Sequence, residues 1–373
     1  MPKLGRNRKE RGVAIISALL VVSLAAILVS GMLWRQQVQF RRIENQRLLA
    51  QAQWISRSAL DWTRLILRSE ADTSPTVTYL GGVWGVPIAK TKLSDFLGQI
   101  GEVRAQQGAS TYLSGSIEDA QAKFNLRNLV STPTPGVLTI NVAQIQAFQR
   151  LLAMLGMNGS LAKTVALQIR AGLARSATRF QTQTGNGPAG AAGATGQSTE
   201  ATIAALAQGG AAGGGNFTDD PGLKDMDSNA PVAPLQMISV DSLLDVPGFS
   251  QEAVAKLRPF VTVLPTNTAV NMNTAPAEVI AAVVPGMNLS QAQAFVARRE
   301  TVFFHDIGNV QLALTGAGVK TVSMDPNDMD VTTKYFVIHG RVEHERAQLE
   351  RTTLVYRDPT THTTRIVYTR DSL

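Results

Sequence analysis

The chain has no cysteine in its 373 residues. Disulfides, thiolate metal centres and cysteine nucleophiles are therefore excluded. Catalytic signatures are missing as well. There is no G-x-S-x-G elbow, no phosphate-cradling P-loop and no dinucleotide fingerprint set between a strand and a helix. His305, His339, His344 and His362 do not stand in an H-E-x-x-H or other close zinc pattern. His339 and His344 are expected to flank a strand turn. Glu118 and Asp119 are adjacent on a candidate strand, so they point to opposite faces and make poor partners for acid–base work. No catalytic constellation remains, and the chain reads as a non-enzyme. Net charge is also a poor guide. The formal +7 includes five basic residues and one acid before position 12, and without them +3 is left. That says little in favour of nucleic acid.

Helix breakers are scarce early in the chain. After Pro2 the next proline is Pro75, and Gly31 is the only glycine between Val13 and Glu70. Val13 to Trp34, VAIISALLVVSLAAILVSGMLW, carries no charge. At about 1.5 Å per residue it reaches about 33 Å, enough to cross a bilayer's hydrocarbon core. Lys3, Arg6, Arg8, Lys9 and Arg11 precede it against one acid, Glu10. The positive-inside rule then keeps the N-terminus in the cytoplasm and exports the chain beyond Trp34. Gly12 sits at the charged-to-apolar junction, whereas secretory signals are cut after their apolar region. Beyond Arg35, Leu48, Ala52, Ile55, Ala59, Trp62 and Ile66 recur at helical spacing, with Arg47, Gln51, Arg57, Asp61, Arg64 and Arg68 opposite. The spacing predicts one helix of about 87 Å, its first part in lipid and its second on a soluble domain.

Thr73 to Pro87 reads as a loop with a short strand at Val77 to Leu80, and a short helix is expected at Ser94 to Gln99. Thr111 to Leu126 alternates as a strand, with Leu113, Ile117 and Phe124 facing inward. Pro133, Pro135 and Gly136 open a helical region. Val142 to Leu155 carries an apolar stripe, and Ser160 is placed to cap Leu161 to Leu173. Residues 182–216 are dominated by Gly, Ala, Gln, Thr and Ser and read as a flexible loop. Two units, LLDVPGFSQEAVAKLRPFV and NTAPAEVIAAVVPGMNLSQAQAFVARRE, each read as helix, Pro-Gly turn, helix. Lys334 to Glu343, Gln348 to Tyr356 and Thr364 to Thr369 are three strand candidates. The plan is α+β: a long N-terminal helix packed on a small antiparallel sheet, interrupted by a large helical insertion. The divisions are 1–12 leader, 13–34 transmembrane helix, 35–72 its continuation, 73–130 first part of the sheet domain, 131–322 insertion, and 323–373 closing strands.

RGVAIISALL resembles the leader junction of type IV pilins and of the pseudopilins of type II secretion. The resemblance implies that a membrane peptidase cuts after Gly12 and methylates the new N-terminus, Val13. The family's usual glutamate at the fifth mature position is here Ser17. In lacking it the chain is similar to one subclass, the K-type minor pseudopilins. The stretches LWRQQ, ENQRLLAQAQW and SIEDAQAKFNLRNL agree, as does a large helical insertion before NMNTAPAEVI. The resemblance implies a pilin-like fold with sterile-alpha-motif-like helical units. It implies an inner-membrane anchor, a periplasmic body, and assembly with I- and J-type minor pseudopilins at a filament tip. The resemblance implies that this glutamate pairs with the N-terminal amine of the subunit above; unpartnered in the membrane a carboxylate costs about 3 kcal/mol, so Ser17 suits a subunit with nothing above it, a tolerated small helix residue being the other reading. The resemblance also implies calcium in the helical domain. Asp219, Asp220, Asp225 and Asp227, with Asp241 beyond, supply the oxygen ligands that ion takes, though without EF-hand spacing. A solvated acidic loop is the other reading of that cluster.

Two rivals remain from the residues. One is an exported, membrane-anchored helix-hairpin-helix protein binding DNA phosphate. Such hairpins read Gly-apolar-Gly, and here Gly248 is followed by Phe249 and Ser250, and Gly286 by Met287 and Asn288. The second glycine is missing from both, so no nucleic acid partner is expected. The other rival is a minor type IV pilin.

Overall fold

A computed structural model describes residues 10–95, 110–132, 138–184, 234–319 and 327–372 of the chain. The first element, α1 (Glu10–Thr73), is one unbroken helix of 64 residues, about 96 Å long at 1.5 Å per residue. It ends where Thr73 donates its hydroxyl to the carbonyls of Ser69 and Glu70, two residues before Pro75. Residues 15–47 are exposed, while its second half packs. The buried row is Leu48, Ala52, Ser56, Leu60, Leu67 and Ala71. The expected stripe through Ile55, Ala59, Trp62 and Ile66 lies beside this row, and Trp62 is 38% exposed. Small side chains at Ala52 and Ser56 let the helix lie close to the sheet. A reading confined to apolar residues skips Ser56 and moves the stripe by one residue, a rotation of about 100°.

Under α1 lies a five-stranded antiparallel sheet. Its strands are β1 (Ile88–Lys92), β2 (Thr111–Asp119), β3 (Tyr335–His344), β4 (Ala347–Arg357) and β5 (Thr364–Ser372), arranged in that order. The last three fall where alternation placed them. Leu113 pairs with Val342, Gly115 with Gly340 and Ile117 with Ile338. Two apolar clusters form between helix and sheet. One holds Leu60, Leu67, Trp84, Phe336, Ile338 and Val355, and the other Leu48, Ala52, Val342, Ala347 and Leu349. Where Gly115 faces Gly340, the missing side chains leave a groove of about 330 Å³, bordered by Ser56, Ala59, Trp62 and Thr63.

Some local expectations change. Val77 to Leu80 is not a strand; Val77 and Thr78 are buried in irregular backbone, and the edge strand is β1. The strand expected to run to Leu126 stops at Asp119, whose side chain accepts from the Gln121 N–H and starts a tight turn. Residues 93–95 are helical, and the rest of the helix expected at Ser94 to Gln99 lies outside the described residues.

The chain leaves the sheet after β2 and returns at β3, the neighbouring strand. Residues between them build a second unit around its own core. Phe124, Leu126 and Leu129 already belong to that core, upstream of the boundary expected at 131. Phe124 stacks on Phe148 with ring centroids 5.5 Å apart. In α2 (Val142–Met154), Asn141 caps the helix by accepting from Gln144 N–H, and Ile145, Phe148, Leu151 and Leu152 form the buried stripe. Next, α3 (Leu161–Thr184) runs on through residues 182–184, the start of the stretch read as a flexible loop. The rest of that stretch lies outside the described residues. The Pro-Gly units appear as a tight turn at Val240–Asp245 before α4 (Gln251–Leu257), and as α5 (Ala277–Val283) before α6 (Leu289–Thr301). Gly248 and Gly286 take φ of +97° and +78°, a region that favours glycine. A last helix, α7 (Ile307–Gly316), precedes the return to the sheet.

Candidate functional site: the apolar anchor and the buried junction

Large apolar side chains from Ile15 to Leu33 on α1 are 55–70% exposed. Apolar surface left in water costs about 25 cal/mol per Å², so this face requires a cover. Among the described residues this is the one helix long and apolar enough to cross a membrane. Gly12 and Val13 lie in its first turns, and Ser17 lies within the exposed apolar stretch. Asp219, Asp220, Asp225 and Asp227 lie outside the described residues, and among the described residues no three His, Asp or Glu side chains gather as a metal site. Asp241 pairs with Arg258 at 2.5 Å.

A second feature has no counterpart among the sequence motifs. The ends of the helical unit are locked to the sheet by a buried polar knot around Asp119. Its carboxylate accepts from Gln121 N–H (2.7 Å), Asn271 Nδ2 (2.9 Å), Thr274 Oγ1 (2.6 Å) and Thr333 Oγ1 (2.6 Å). Asn271 also donates to the Thr78 carbonyl at 3.0 Å. Arg357, at the end of β4, donates to the carbonyls of Leu67 (3.2 Å) and Thr333 (3.1 Å) and to Thr78 Oγ1 (3.1 Å). Its guanidinium lies 4.7 Å from the centre of the Phe336 ring. The knot thus joins α1, the end of β2, the NMNTAP segment, β3 and β4. Burial pushes the Asp119 carboxyl up, against the pull of its four donors. The same burial lowers Arg357, which Asp119 partly offsets. The signal in the sequence was the close set of polar residues Asn271, Asn273 and Thr274 beside the apolar α5.

Glu118 points the other way, as strand alternation requires. It pairs with Lys123 at 2.6 Å and lies 3.4 Å from His339 Nε2. The His339 contact, helped by Lys123, holds its pKa at about 2 against partial burial. His339 sits in mid-strand on β3, not at a turn. His344 does end that strand, but its ring is bonded on both nitrogens, to Thr111 (2.7 Å) and to Gln51 (3.0 Å) of α1.

Both helices that follow the Pro-Gly turns are capped by their own side chains. Asn288 accepts from Gln291 N–H while the Gln291 side chain accepts from Asn288 N–H, so the first turn of α6 is capped from within. At α4 the Ser250 hydroxyl accepts from Ala253 N–H at 3.2 Å. Arg299 is buried, and its Nη1 donates to the Met272 carbonyl at 2.8 Å.

Two family models of type II secretion system protein K match the chain, over residues 122–266 and 270–332, together more than half of it. A type II secretion system protein K of Pseudomonas aeruginosa is 27% identical over 341 residues, covering 90% of this chain and 85% of that protein. One from Aeromonas hydrophila is 27% identical over 152 residues, 40% of this chain and 41% of its own length. Among solved structures, a chain of the GspK-GspI-GspJ complex from the type 2 secretion system of enterotoxigenic Escherichia coli superposes with a TM-score of 0.57. Identity there is 15%, with 89% of this chain and 99% of that one covered, so the likeness speaks for the fold. The exposed apolar helix, the small sheet it packs on and the helical unit spliced into that sheet are accounted for together: the chain belongs to the type II secretion system protein K family of minor pseudopilins.

Proposed function

We propose that this protein is the tip subunit of a periplasmic pseudopilus and primes it together with I- and J-type minor pseudopilins. Its role is assembly rather than catalysis. The chain inserts into the inner membrane with its N-terminus in the cytoplasm. Prepilin peptidase then cuts between Gly12 and Val13 and methylates Val13. The apolar half of α1 packs with like helices as the filament rises. The observation that carries the tip assignment is the splice between β2 and β3. A second unit larger than the sheet itself occupies space that another subunit would need. Ser17 agrees, because a tip subunit has no amine above it for a carboxylate to pair with. The complex in which the Escherichia coli structure was solved supports the choice of partners.

The test is purification of the full chain from membranes with tagged I- and J-type partners. N-terminal sequencing should start at Val13, and gold-labelled protein should mark one end of each filament. A start at Met1 overturns the processing step. Label along the filament length overturns the tip assignment. Ser17→Glu restores a carboxylate but leaves the bulk, so the variant should still be found only at the end.

A further inference from the structure

Between the apolar segment and the first contact of α1 with the sheet domain, a stretch of helix stands clear. Residues 35–43 lie between Trp34 and Glu44, whose carboxylate pairs with Arg346 at 2.7 Å. The stretch reads RQQVQFRRI, with three cations and no anion. Arg35, Arg41 and Arg42 are exposed and, among the described residues, make no ion pair. Trp34 is 70% exposed. At about 100° per residue, Trp34, Arg35, Val38, Arg41 and Arg42 share an arc of about 120°. That arc continues, further along the helix, into the buried row that packs on the sheet.

Building on the reading of Val13 to Trp34 as a span, we propose that this arginine face docks on anionic phospholipid headgroups of the leaflet from which the helix emerges. Continuity with the span is the first reason. Arg35 emerges at the headgroup level, where tryptophans such as Trp34 also settle. Arg41 and Arg42 lie about 10–12 Å beyond Trp34. A headgroup layer of about 5–8 Å and a screening length of about 8 Å bring them within reach of the surface charge. Charge is the second reason: basic residues beside a span are drawn to anionic lipid, and three like charges repel a second copy of the same face. Docking on this arc draws the helix toward the side that carries the sheet and sets how far the periplasmic body stands from the membrane. Once a basic leader is removed, this is the charged flank of the span that remains.

The absence of cysteine makes the test direct, since Val38→Cys gives a unique labelling site. The full chain, labelled at position 38, is placed in vesicles of phosphatidylcholine alone or mixed with phosphatidylglycerol. Quenching of the label by a water-soluble quencher is then timed. Severalfold slower quenching is expected in the mixed vesicles at low salt. High salt should abolish the difference, as should the triple change R35Q/R41Q/R42Q. Equal rates in both vesicle types, from a chain that resists alkaline extraction, overturn the headgroup site while the span stands. A chain that alkali extracts defeats the span reading itself. Protection that appears only when another pseudopilin is added assigns the face to a protein and overturns the lipid assignment. The salt arm uses native arginines, so it decides the matter even if the triple variant folds poorly.

Discussion

Glu118 and Asp119 are neighbours with opposite fates, and their pH dependences have opposite signs. Glu118 is held at about 2 in the fold, below its ordinary 4.5, chiefly by His339. Its contribution is present above pH 4.5 and is lost as pH falls toward 2. Glu118→Gln should therefore flatten the acid limb of a plot of urea midpoint against pH over that window. Asp119 is pushed up by burial, so its effect on stability declines as pH rises through its folded pKa. Its structural worth lies in its bonds. Asp119→Ala strands the Gln121 N–H and the Thr274 hydroxyl in a buried junction and should cost about 3 kcal/mol by chemical denaturation of the full chain in detergent. That the two carboxylates face apart was legible from strand alternation. Which of them is buried was not, because Asn271, Thr274 and Thr333 reach it from 152, 155 and 214 positions away.

At the scale of elements, β2 and β3 meet through glycines beneath α1. A methyl added at Gly115 would lie 2.8 Å from the His339 carbonyl oxygen, whereas one at Gly340 meets nothing nearer than 4.0 Å. Gly115→Ala should destabilise by about 1–3 kcal/mol through overpacking, and Gly340→Ala should leave the melting temperature unchanged or raise it. Equal losses at the two positions would mean that the glycines serve something other than this contact. The long helix and the three C-terminal strands were readable because breakers are absent from the one and alternation marks the others. The buried row of α1 is displaced by one residue from the apolar stripe because Ser56 packs as a small residue while hydropathy counts it as polar. The end of β2 was not legible because Phe124 is apolar in either setting. Nothing local says that it belongs to the helical core rather than to the sheet.

For the whole molecule, the expected calcium site and the described structure do not overlap, so a solution measurement has to carry it. If Asp219, Asp220, Asp225 and Asp227 share an ion, millimolar Ca²⁺ should raise the melting temperature and EDTA should lower it by mass action. Asn at Asp220 and Asp225 together should remove the difference. A melt indifferent to Ca²⁺ leaves a solvated acidic loop. The overall plan was legible as a helical excursion from a small sheet, but the depth of the splice was not. Leu113 to Asp119 pairs with Phe336 to Val342 across the centre of that sheet. A chain emerging N-terminus first therefore holds β2 unpaired on that side until nearly all of it has emerged. Closing so long a loop costs about 5 kcal/mol of chain entropy beyond a constant, and pairings so far apart form slowly. The helical unit, with its own core, can condense first and bring its two ends within the 2.6 Å that separates Asp119 from Thr333. The central strand pair then closes over a short gap, and a waiting β2 is the edge that a chaperone would have to guard.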